Sequence, residues 1–175
     1  MPIRYAAFLS LFLPAASFAQ SDVSSELAEL VAVDFTQVSR VEFIDEHKEA
    51  LNIGWEPSMQ LYVRVDPSLA EMVPPFEWTD DYTEAYGCLY DHLKEQDALG
   101  EVNAMFSSMQ ESIDYIYAHP DFNILTIAQH EPYIDMLQPS DIYMEATTSC
   151  NLGALNMKTM RDSGLMEALT EIMLQ

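Results

Sequence analysis

"SMQLYVRV", residues 58–65, is the stretch on which the fold class turns. Met59, Leu61, Val63 and Val65 alternate with Gln60, Tyr62 and Arg64, the period of two expected of a half-buried strand. A strand needs a neighbour to satisfy its backbone donors and acceptors. No second alternating stretch elsewhere in the chain supplies one. Residues 58–65 are therefore read as a short helix beginning at Pro57, since proline is tolerated in the first helical turn. With that stretch helical, the chain is expected to be all-α, a single compact domain of about seven helices.

Working outward, Asp66-Pro67 reads as an N-cap followed by proline at the first helical position, and "VPPF" at 73–76 interrupts the chain. Upstream, "SDVSSELAELVAV" offers serine caps and apolar Leu27, Leu30 and Val31 at helical spacing. Asp34 with Gln37 three residues on resembles a capping box, and Phe35, Val38, Val41 and Ile44 follow at intervals of three. Gly54 is the expected stop. Downstream, Thr79 caps a helix whose first turn carries Asp80, Asp81 and Glu84, with Tyr82, Tyr86, Leu89 and Leu93 as its apolar stripe. Gly100 separates this helix from the clearest amphipathic pattern in the chain: Val102, Met105, Phe106, Met109, Ile113, Ile116 and Tyr117. Residues 121–138 are expected to form one or two short helices broken at Pro132. Ser140 opens a long helix running through Cys150 to about Arg161, and Ser163-Gly164 introduces the last.

The first nineteen residues have a separate logic. Arg4, an apolar run from Tyr5 to Leu13, Pro14, and small Ser17 and Ala19 form the pattern of a secretory signal peptide. The run is about half the ~20 residues that a bilayer span requires. Cleavage is expected after Ala19, leaving residues 20–175 as one acidic helical domain in the periplasm or outside the cell, with no membrane insertion. Loss of Arg4 takes the formal net charge from −22 to −23. So acidic a chain repels phosphate backbones and anionic membrane surfaces, which argues against nucleic acid; the acidity is read first as serving solubility, with an acidic patch for a basic protein partner or a divalent cation as the sharper reading.

Two cysteines in an oxidising compartment pair with each other. Cys88 stands among Glu84, Asp91 and Glu95, which oppose thiolate formation, and neither cysteine belongs to an exchange or haem motif. A structural Cys88–Cys150 bridge is expected, worth about 4 kcal/mol at most in the chain-entropy treatment.

Local signatures of chemistry are missing. The five glycines never cluster as a phosphate cradle, and G-x-S-x-G, S-x-x-K, H-E-x-x-H and the calcium loop are absent, so neither a cofactor nor a metal is implied. His47, His92, His119 and His130 each neighbour a carboxylate, as 29 acids would produce by chance. Met105 with Met109, and Met157 with Met160, share helix faces that could offer thioethers to Cu(I), yet both pairs lie on apolar stripes where methionine fills space. Glu77, Asp80, Asp81 and Glu84 could ligate a hard cation, but a helix N-terminus repels cations. The resulting expectation is a non-enzymatic binding or interaction module. The alternatives are a motif-poor hydrolase, with a histidine and an acid brought together by the fold, and an acidic cation-binding protein.

Overall fold

A computed structural model describes residues 16–136 and 139–174. Arg4 and the apolar run of the expected signal peptide lie outside the described residues. The expected cleavage point after Ala19 falls within the first helix. Eight α-helices are described: α1 (Ala16–Val31), α2 (Arg40–Val63), α3 (Asp80–Glu95), α4 (Glu101–Ala118), α5 (Glu131–Met136), α6 (Asp141–Ser149), α7 (Leu152–Asp162) and α8 (Leu165–Met173). Two 3₁₀ segments, Pro67–Met72 and Ile127–Gln129, complete them, and no strand occurs among the described residues. The protein is all-α, and no described helix is long and apolar enough to cross a membrane.

Residues 58–63 are helical, as the missing strand partner implied, but they close a helix rather than open one. α2 runs through both Gly54 and Pro57 for 24 residues, about 36 Å at 1.5 Å per residue. An interior proline costs a helix about 3 kcal/mol by removing one hydrogen bond and crowding the carbonyl four residues back. Burial of Ile53, Pro57, Met59 and Leu61 on either side of that defect offsets the cost. Gly54 fails as a stop because its φ is not positive and the chain around it is packed.

Other boundaries differ for local reasons. Asp34 does not cap α2; its carboxylate accepts from the Thr36 N–H at 3.1 Å and hydroxyl at 2.6 Å, holding a turn. Ser39 is the N-cap, and with Glu42 it makes a reciprocal capping box. Consequently Phe35 is buried from a turn, while Val41 is 68 % exposed. Pro132 occupies the first turn of α5 instead of breaking it. The long helix expected from Ser140 divides at Cys150-Asn151, where Asn151 takes φ 58°, a left-handed conformation that asparagine tolerates. Thr79 and Ser140 cap α3 and α6 as expected, and Gly164, at φ 82°, turns the chain into α8.

Three apolar clusters hold the helices. The largest gathers Leu27, Phe35, Phe43, Leu89, Leu93, Val102 and their neighbours from α1–α4, α6 and α7. A second joins Met59 and Leu69 to Met160, Leu165 and Leu169, so that α8 packs on the 3₁₀ segment Pro67–Met72 and α7 reaches the C-terminal half of α2 through side chains such as Met160. The third packs Leu61 and Ile116 with Phe122 and Tyr133. Arg64, at the end of α2, donates to the carbonyls of His119 and Phe122 at 3.1 and 3.0 Å, so the ends of α2 and α4 are tied.

Candidate functional site

α2 contributes to all three clusters, and its C-terminal half is where they meet. Three separately packed groups of side chains do not interdigitate fully at their junction. A cleft of about 290 Å³ opens there, lined by Leu51, Trp55 and Met59 of α2, Met109 of α4, Ile124 and Met160 among others. A Cβ at Gly54 would lie 2.7 Å from the Met109 methyl, so glycine lets α4 lay its thioether on the α2 backbone.

The walls are mostly apolar, and the few polar groups are accounted for. Ser58 donates its hydroxyl to the Gly54 carbonyl at 2.8 Å, a bond within α2. Tyr62 and Tyr133 also line the cleft, and burial raises both phenol pKa values, so they stay neutral. Asn156 accepts from the Tyr82 hydroxyl at 2.8 Å through Oδ1, which leaves its NH₂ as the donor for a guest. No histidine lines this cleft.

The histidines take three different roles. His47 is buried at 3 % exposure between Phe35, Phe43, Tyr86 and Phe106. Its Nδ1–H donates to the Phe43 carbonyl at 2.8 Å, and Nε2 has no partner; burial pushes its pKa down to about 4. His119 and His130 converge on Tyr115: His119 stacks on its ring at 3.8 Å, and His130 Nδ1 shares a 2.9 Å hydrogen bond with its hydroxyl. No serine, threonine or cysteine among the described residues hydrogen-bonds to either imidazole. His92 lies one helical turn beyond Cys88.

Cys88 and Cys150 are bridged, with Cα atoms 5.8 Å apart, joining α3 to the C-cap of α6. The His92 ring and both sulfurs place their donor atoms within 4.8 Å of one another, the one such group of three among the described residues. Of the methionines paired by helix face, Met109 and Met160 come together with Met59 at the cleft, whereas Met105 packs against the main cluster. Glu77, Asp80, Asp81 and Glu84 are all exposed. The cleft itself was invisible in the sequence, because its residues read as ordinary core; the nearest signals were the surplus of methionine and a glycine within a helix.

No family model, curated protein or solved structure matches the chain.

Proposed function

We propose that the protein is an exported, non-enzymatic binding module whose site is the cleft between α2, α4 and α7. One observation carries the reading: three apolar clusters meet at a concave, methionine-lined space with one amide left to donate. A cleft of about 290 Å³ suits a small guest, near the lower end of the usual range for ligand pockets. The guest is mostly apolar with one hydrogen-bond acceptor for Asn156. The formal charge of −22 disfavours anions, so it is neutral or cationic. Thioethers adapt their shape at little cost, which favours a class of related guests over a single one. The Cys88–Cys150 bridge accords with export, since disulfides persist in oxidising compartments.

Hydrolysis at Tyr115, His119 and His130 is the second reading, favoured by the Tyr115–His130 hydrogen bond. It would give acid–base chemistry without an adjacent serine or cysteine nucleophile.

The test is titration with N-phenyl-1-naphthylamine, an uncharged apolar fluorophore. Wild type should bind one equivalent saturably. Ser58 is exposed and lines the cleft, so Ser58→Trp fills the space from outside while leaving the core intact. The variant should bind at least about tenfold more weakly, the loss of roughly 1.4 kcal/mol, with an unchanged thermal midpoint. Equal binding by wild type and Ser58→Trp would rule the cleft out.

A further inference from the structure

We propose that the Cys88–Cys150 bridge gates a metal site: once a dithiol reductant opens it, the two thiolates and the His92 imidazole hold one zinc-like divalent ion. The inference is independent of the cleft.

Three placements support it. Cys88 and His92 stand four residues apart on α3, so they share a face of a rigid helix. Cys150 is delivered to that face by the end of α6. All three donor atoms already lie within 4.8 Å of one another. In a tetrahedral zinc site with Zn–S near 2.3 Å, two sulfurs are about 3.8 Å apart. The opened sulfurs would therefore move apart and the imidazole would draw in by at most about 1 Å, movements that side-chain rotation supplies.

The donor set selects the ion. Two thiolates and an imidazole favour zinc or cobalt(II) over calcium or magnesium. Three protein ligands leave a fourth position open, as in catalytic zinc sites. Asp81 and Glu84 line a groove of about 250 Å³ with both cysteines, so a reductant and an ion both have access, and the groove is negatively charged. Glu84 lies one turn before Cys88 on the same face and is a candidate for the fourth ligand.

The chemistry balances. Two thiols of the reductant deliver two electrons and two protons to the bridge and end as a disulfide. The ion then displaces the two protons from Cys88 and Cys150 as it binds. Exchange with an oxidised dithiol, which takes the two electrons together with two protons from solvent and leaves as the dithiol, re-forms the Cys88–Cys150 bond as the ion departs.

Cobalt(II) is the probe, added without oxygen to the mature protein in its oxidised and phosphine-reduced forms. The reduced protein should take one equivalent with a thiolate-to-cobalt charge-transfer band and the intense visible bands of tetrahedral cobalt. The oxidised protein should show neither. His92→Ala should weaken binding at least about tenfold and alter the visible bands. Cys150→Ser should abolish the tight complex. Circular dichroism is followed throughout: a reduced chain that stays folded, or one that unfolds and is refolded by one equivalent of cobalt, supports the site. Absence of the charge-transfer band, equal affinity in His92→Ala, or a reduced chain that cobalt leaves unfolded overturns it.

Discussion

Protonating His47 would place a cation among Phe35, Phe43, Tyr86 and Phe106, where Nε2 already lacks a partner. Its folded pKa of about 4 lies below the ordinary 6.5, so between those values the unfolded chain binds the extra proton. Stability is therefore full above pH 6.5 and declines as pH falls toward 4, by on the order of 3 kcal/mol. Urea midpoints measured from pH 7 to 4 should show this decline in wild type and a shallower one in His47→Leu. Burial and neighbouring acids raise the Glu46 pKa, an effect of opposite sign that both proteins share. Two glycines should respond oppositely to alanine. At Gly87 the atoms nearest the new methyl all belong to the flexible Arg40 guanidinium, whose exposed 3.4 Å pair with Asp91 is worth about 0–1 kcal/mol. Gly87→Ala gains about 1 kcal/mol of helix propensity, so its thermal midpoint should hold or rise. Gly164→Ala must keep φ at 82° and should lose about 1 kcal/mol or more.

At the scale of elements, α1 depends on a side chain that no local pattern announces. Asn103 of α4 donates to the carbonyls of Val31 and Val33 at 2.9 and 2.6 Å, satisfying groups at the end of α1. Asn103→Ala should cost about 1–3 kcal/mol and speed amide exchange in α1. Asn103→Asp should do at least as much damage, because its carboxylate would face two carbonyl oxygens. Helices carried by local signals were legible: Thr79 with its acids announced α3, and the stripe from Val102 to Tyr117 announced α4. Elements settled by long-range packing were not. Gly54 and Pro57 look like punctuation, and only burial, for Gly54 against Met109 and Ile113 of α4, makes them interior to α2. The cleft was hidden for the same reason, since Met59, Met109 and Met160 are far apart in sequence and each reads as core filling.

For the whole molecule, the bridge and the cleft make separable claims. Replacing Cys88 and Cys150 with serine should lower the thermal midpoint by roughly 5–10 °C, given a ceiling of about 4 kcal/mol for the bridge. Binding in the cleft should survive at a temperature where the variant remains folded, because neither cysteine lines it. The most direct measurement is NMR of methyl-labelled methionine during titration with N-phenyl-1-naphthylamine. Shifts concentrated at the methyls of Met59, Met109 and Met160 are predicted, with exposed Met144 and Met173 unmoved. Shifts at Met144 or Met173 with the cleft methyls silent, or no saturable shift at all, would contradict the account.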